Sequence, residues 1–345
     1  MIDITAHSTP IGEALFHTIT NSRGARVVLS TLGAGIVSIA VPDKDGKLTE
    51  VALGYKNAGD YFQDGPCMGK IPGRFANRIA KGKFSIDGTE YQLAINNGPN
   101  ALHGGPTGFQ NRIWEAKTEG DNAVVFSYSP EDGEEGYPGK LYVKATYTWT
   151  DDCELRLHLE ATSDAATVVN LTNHAYFNLD GATSGTVLNH KLTLKASHYL
   201  PTDDTQIPTG EIAPVEGTPM DFTKAKEIGK DIHADFHPLK VGKGYDHCWV
   251  IDDYQKGKLQ SVALLEGVDS GIKMEVLTTQ PGMQVYTGNW LEGCPQAPDG
   301  YAYHDYDGVA IECQGFPDAP NHAEFPSSLL RPGEHYDETI VFKFA

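Results

Sequence analysis

The chain has 345 residues, with Lys+Arg at 27 against Asp+Glu at 46 and a formal charge of −19. So acidic a chain argues against nucleic acid or an anionic membrane as a main partner, and it fits a small neutral or cationic substrate. Its five cysteines, Cys67, Cys153, Cys248, Cys294 and Cys313, are scattered and lack CxxC spacing, which argues against a disulfide framework or structural zinc and for free thiols in a reducing compartment.

From the N-terminus, "MIDITAHSTPIGEALF" has neither a basic nor an apolar leader region. No run further on approaches the ~20 apolar residues that span a bilayer, so a cytoplasmic protein is expected. "ARVVLST" reads as a strand, and "NAGDYFQDG" as at most one helical turn. "PGRFANRIAKGKF" sets Arg74, Asn77 and Arg78 just before a strand. "KFSIDGTEYQL" is a hairpin turning on Asp87-Gly88, where both positions tolerate positive φ. "INNGPNALHGG" then places His103 before two glycines that permit a tight turn or close approach to a ligand.

"VVFSYS", "LYVKATYTWT" and "ELRLHLEAT" follow as strands, the last two turning near Asp151-Asp152. "VVNLTNHAYFNLDG", residues 168–181, reads as another strand. Val169, Leu171, Ala175, Phe177 and Leu179 share one parity, with Asn173 the exception. Asn170, Thr172, His174, Tyr176 and Asn178 share the other. A polar face without Lys or Glu suits an uncharged ligand better than bulk water, although a solvated sheet face is the commoner reading. "HKLTLKAS" is a strand and "KDIHADFH" at most a helical turn. "GKGYDHCWVID" puts Asp246 at a strand entrance, "EVLTTQPGMQVYTGNW" ends a strand at Gln280, and "DGVAIECQGFPDAPN" sets Glu312 on a strand face beside Gly308 and Ala310. That carboxylate next to almost no side chain leaves a concavity. "TIVFKF" closes the chain.

No composition break or fixed repeat appears, so residues 1–345 read as one all-β domain of sheets packed face to face. Each candidate also has a plain reading: a loop histidine, a surface arginine, a turn-capping aspartate or a polar filler glutamine. No HxH, HExxH, phosphate-loop, dinucleotide or GxSxG pattern occurs, so neither metal nor cofactor is expected.

Taken together, "GRFANRIAKGKF", "NALHGG", "EDGEEGYPG", "VNLTNHAYFNL", "YLPTDDTQIPTGE", "GYDHCWV", "TTQPGMQVYTGNW", "IECQGFPDAPN" and "LLRPGEHY" resemble the successive motifs of the aldose 1-epimerase (galactose mutarotase) family. The resemblance implies a large antiparallel β-sandwich with a sugar cleft. It also implies interconversion of the α and β anomers of free aldohexoses such as galactose and glucose, with no cofactor or metal. By position it implies His174 as general acid, Glu312 as general base and His103 as a second active-site histidine. Asn77, Arg78, Tyr176, Asp246 and Gln280 become substrate contacts. The expected partner is a small sugar, with neither nucleic acid nor membrane, on a monomer or weak dimer. A carboxylate beside His174 predicts an imidazole pushed upward in pKa. Two other readings stay open: a carbohydrate-binding β-sandwich without catalysis, and a hexose-6-phosphate 1-epimerase drawing on Arg74, Arg78, Lys81 and Lys83.

Overall fold

The structure, a computed structural model, describes residues 2–345, so Met1 of the expected 1–345 domain lies outside the described residues. Three antiparallel sheets dominate. The first is a five-stranded meander in chain order: Ile2–Thr9, Gly12–Thr20, Arg26–Ser30, Gly35–Pro42 and Leu48–Glu50. The second has nine strands, with Leu141–Trp149, Glu154–Ser163, Tyr336–Phe344 and Lys273–Thr278 at its centre. The third has six, ordered Tyr176–Phe177, Val309–Gln314, Gly282–Tyr286, Asp246–Val250, His198–Tyr199 and Ala213–Pro214.

Alternation explains how the larger two sheets pack. Leu155, Leu157, Leu159 and Ala161 all point inward from Glu154–Ser163. They share one core with Val276 and Phe342 of the same sheet, and with Trp249, Met283, Val285, Val309, Ile311 and Cys313 of the six-stranded sheet. Burying one face of each sheet against the other is the dominant favourable term, at roughly 25 cal/mol per Å² of apolar surface. It also fixes register, because a one-residue slip would send every core side chain outward. The opposite parity of the six-stranded sheet, including Asp246, Gln284, Ala310 and Glu312, is therefore free to build something else.

The hairpin over Lys83–Ile86 and Thr89–Gln92 turns on Asp87 (φ 50°) and Gly88 (φ 84°) as expected. A 3₁₀ turn at Ala58–Tyr61 falls within "NAGDYFQDG". The α-helix His237–Gly242, by contrast, starts at the last residue of "KDIHADFH" and uses Pro238 in its first turn. None of the described helices is long and apolar enough to cross a membrane.

The run 168–181 departs from the expected strand. Only Thr167–Val168 and Tyr176–Phe177 are strands. Between them the chain bonds to the 69–76 segment instead of to a sheet neighbour. The His174 N–H donates to the Lys70 carbonyl (2.9 Å), the Gly69 N–H to the His174 carbonyl (2.9 Å), and the Asn170 N–H to the Arg74 carbonyl (3.1 Å). The parity survives this irregularity, since Val169, Leu171, Ala175, Phe177 and Leu179 all join the main core.

Candidate active site

A cleft of about 410 Å³ opens on the outer face of the six-stranded sheet. Its floor is set by register. Glu312 pairs across the sheet with Gln284, and Ala310 lies between Tyr286 on one side and Tyr176 on the other. The small Ala310 leaves room for both tyrosine rings, whose centroids stand 5.8 Å apart. A Cβ at Gly308 would meet Leu53 Cδ2 at 2.8 Å and Tyr176 Cβ at 3.0 Å, so glycine there lets the floor close up.

Seven of the eight residues singled out by sequence line this one cleft: Asn77, Arg78, His103, His174, Tyr176, Asp246 and Glu312. His174 Nε2 stands 3.5 Å from Glu312 Oε1, with both side chains almost wholly buried. The His103 ring lies edge-on to His174 at 5.3 Å. Because His103 Nδ1 accepts the Asn77 N–H at 3.1 Å, its Nε2 carries the proton of the neutral ring and is the donor. Asn77 Oδ1 in turn accepts the Arg78 N–H at 2.8 Å. Asn77 and His103 hold positive φ, 66° and 52°, an uncommon backbone conformation outside glycine.

Gln280 is placed elsewhere. Its Nε2 donates to the Leu171 carbonyl (3.3 Å) and the Tyr336 hydroxyl (2.8 Å), at a separate depression beyond the end of its strand. The amide that supports the cleft's carboxylates belongs to Gln284, which is buried opposite Glu312 and whose Nε2 donates to Asp246 Oδ1 at 2.7 Å. It lies four residues later in the same "TTQPGMQVY" motif, and its place opposite Glu312 was the missing signal. Gln206, Asn97 and Tyr286 line the site though none was singled out, and each lies within a stretch already quoted: "YLPTDDTQIPTGE", "INNGPNALHGG" and "TTQPGMQVYTGNW". Tyr176 lends its ring, 5.0 Å from His174, while its hydroxyl donates to the Pro66 carbonyl at 2.9 Å.

The polar parity of 168–181 therefore serves two ends. His174 and Tyr176 face the cleft. Asn170 donates to the Ala76 carbonyl (3.1 Å), and Asn178 to the carbonyls of Gly185 (2.7 Å) and Asp307 (3.0 Å). Those two amides satisfy buried backbone, which would otherwise be costly.

Electrostatics reverse the expected direction for His174. Burial pushes its pKa down to about 4, outweighing the upward pull of Asp246 and Asp64. Burial likewise holds the Glu312 carboxyl well above its usual range, with Asp246 adding to the shift and Arg78 opposing it. His103 is driven well below its usual value by burial, then by His174 and Arg78. A low-dielectric cleft penalises every charged form, so burial favours a protonated carboxyl beside a neutral imidazole over the ionised pair. That state holds one proton, as an ionised carboxylate beside an imidazolium would.

The basic residues near Arg78 do not converge. Arg74 is buried, donating to the carbonyls of Pro138 (2.7 Å) and Gly139 (2.8 Å) and to Thr167 Oγ1 (3.0 Å). Lys83 pairs with Glu90 at the surface. Of the four, only Arg78 lines the cleft, which gives a phosphate little to hold.

Known proteins resemble this chain over nearly its whole length. The family model for aldose 1-epimerase matches residues 16–343. The chain is 46% identical over 322 residues to a human galactose mutarotase, covering 93% of this chain and 91% of that protein. It is 39% identical over 329 residues to an aldose 1-epimerase of Escherichia coli, covering 95% and 94%. Among solved structures it is similar to an aldose epimerase homologue from C. elegans, with TM-score 0.88, 34% identity and coverage of 96% and 98%. It is also similar to a galactose 1-epimerase from Lactobacillus acidophilus, with TM-score 0.87, 27% identity and coverage of 100% and 98%.

Proposed function

This chain belongs to the aldose 1-epimerase family, and from that premise we propose that Glu312 and His174 are the base and acid with which it interconverts the α and β anomers of free aldohexoses such as galactose and glucose. It is an isomerase. The observation that carries the assignment of residues is the buried Glu312–His174 pair, 3.5 Å apart in the cleft floor.

Opening a pyranose hemiacetal requires a proton to leave O1 and another to reach the ring oxygen. Glu312 as carboxylate takes the first and His174 as imidazolium gives the second, each worth about 10²–10⁴ in rate. The pair then stands as carboxylic acid and neutral imidazole, the state that burial favours. Rotation about C1–C2 presents the other carbonyl face, and reclosure returns both protons with the roles exchanged.

His103 Nε2–H and Arg78 steady oxygens whose charge changes during opening. Asp246, Asn77 and Gln284 hold hydroxyls remote from C1, so that only C1 turns. Tyr176 and Tyr286 wall the space around His174. All these groups come from one chain, which supports a single functional domain. The free thiols suit a reducing, cytoplasmic setting.

Polarimetry on freshly dissolved α-galactose tests the reading. Faster mutarotation than buffer alone is expected, and binding without acceleration would leave a carbohydrate-binding module instead. Glucose 6-phosphate run in parallel is expected to be the poorer substrate.

A further inference from the structure

The site holds two opposite charges that pair without a direct hydrogen bond. Arg78 Nη2 and Asp246 Oδ2 are 3.7 Å apart, beyond the range of a direct charge-assisted hydrogen bond. The side-chain amide of Gln206 spans the two from one side. Its Oε1 accepts from Arg78 Nη2 at 2.7 Å, and its Nε2 donates to Asp246 Oδ2 at 2.7 Å. Arginine offers only donors and an ionised aspartate only acceptors, so the bridging group must present one of each. A primary amide does so without adding charge.

The loop that carries Gln206 is built to aim it. The Gln206 N–H donates to the Asp203 carbonyl (2.9 Å), and the Asp203 N–H to the Ile207 carbonyl (2.8 Å). Asp203 Oδ1 caps the N–H groups of Thr205 (2.7 Å) and Ile207 (3.1 Å). Asn100 ties the turn to the neighbouring wall through the Thr205 carbonyl at 3.2 Å. Gln206 itself holds φ 63°, a conformation disfavoured for any residue with a Cβ. An amide in a place where glycine would sit more easily points to a task for the side chain.

We propose that Gln206 is a positioning residue: its amide keeps Arg78 and Asp246 from collapsing onto each other, so that each retains hydrogen-bonding capacity for sugar hydroxyls. The remaining contacts extend the same pattern. Asn97 Oδ1 accepts from Arg78 Nε at 3.0 Å, and Gln284 Nε2 donates to Asp246 Oδ1 at 2.7 Å. Neutral amides thus flank and separate both charges. Without Gln206, the guanidinium and carboxylate close from 3.7 Å into a directly hydrogen-bonded pair that must be broken for every sugar bound. The inference rests on the epimerase reading for its substrate, and on the bridge alone for its geometry.

The test uses the full chain with Gln206→Leu, which removes both bonds, and Gln206→Gly, which removes them while suiting the positive φ. Polarimetry with α-galactose gives kcat and KM, calorimetry gives galactose affinity, and thermal melts report folding. Both variants are expected to raise KM by about tenfold or more, with a smaller fall in kcat, and Gln206→Gly to melt no lower than the parent chain. Gln206→Glu, which keeps the acceptor for Arg78 but sets a carboxylate against Asp246, is not expected to restore KM. Wild-type KM in Gln206→Gly would overturn the proposal, as would losses that track a lowered melting point across the variants. If Gln206→Leu does not fold, Gln206→Gly decides. Should the parent chain fail to accelerate mutarotation, the epimerase reading fails separately. Galactose affinity then tests the bridge: equal affinity in the parent and Gln206→Gly would overturn it.

Discussion

Glu312 and Asp246 are both carboxylates in one cleft, yet their surroundings divide the labour. Among the described residues Glu312 Oε2 has no hydrogen-bond partner, whereas both Asp246 oxygens accept amide hydrogens. Glu312→Gln is therefore expected to lower kcat at least ~10²-fold while galactose binding survives. Asp246→Asn should act chiefly on KM, with a smaller fall in kcat if the sugar is held less well. Polarimetry and calorimetry separate the two, and wild-type kcat in Glu312→Gln would end its assignment as base. The pair also predicts a bell-shaped dependence of kcat/KM on pH. Activity requires one proton shared between Glu312 and His174. On the acid side a second proton goes to His174, whose pKa is lowered to about 4, so activity should fall only near that pH. On the alkaline side the proton leaves Glu312, whose pKa is raised, so the upper limb lies well above an ordinary carboxylate. The two limbs belong to the pair and not to either residue alone. A lower limb near the usual histidine value would contradict burial as the dominant influence.

At the scale of elements, the irregular segment through His174 depends on what lies behind it. Lys70 is fully buried; it pairs with Asp64 and donates to the Tyr61 carbonyl, while its own carbonyl takes the His174 N–H. Asp64 Oδ2 also accepts the Tyr55 hydroxyl (3.0 Å) and the Met68 N–H (2.8 Å). Lys70→Met would strand a buried carboxylate and is expected to cost about 3–5 kcal/mol in urea unfolding. Lys70→Met combined with Asp64→Asn should recover part of that loss, and failure to recover would deny that the stranded charge is the cause. The alternation of residues 309–314 was legible because a regular strand turns parity into facing. That of 168–181 was legible in its apolar half alone. Its polar half divides between ligand and backbone according to tertiary partners that no local pattern encodes. The same limit explains Gln280 and Gln284, two glutamines of one motif. Register against Glu312, a contact between segments far apart in the chain, decides which of them bonds to the cleft carboxylate of Asp246.

Over the whole molecule, the sandwich followed from strand alternation and turn chemistry, but the cleft gathers residues from Asn77 to Glu312 and could be assembled beforehand only through resemblance to a family. Because the chemistry is assigned to side chains of this chain, dialysis against EDTA is expected to leave mutarotation unchanged, and loss restored by a divalent ion would overturn that expectation. Trp114, Trp149 and Trp249 are 1%, 1% and 0% exposed, whereas Trp290, on the cleft rim, is 64% exposed. Its backbone N–H rests on the Tyr286 hydroxyl at 3.1 Å, and the Lys243 ammonium lies 4.3 Å from its ring centroid. Of the four indoles only this one meets solvent freely, so a soluble collisional quencher should extinguish its emission first. A sugar seated in the cleft should shield it, so that occupancy can be followed by light, without label or turnover, even in a variant that no longer opens the ring.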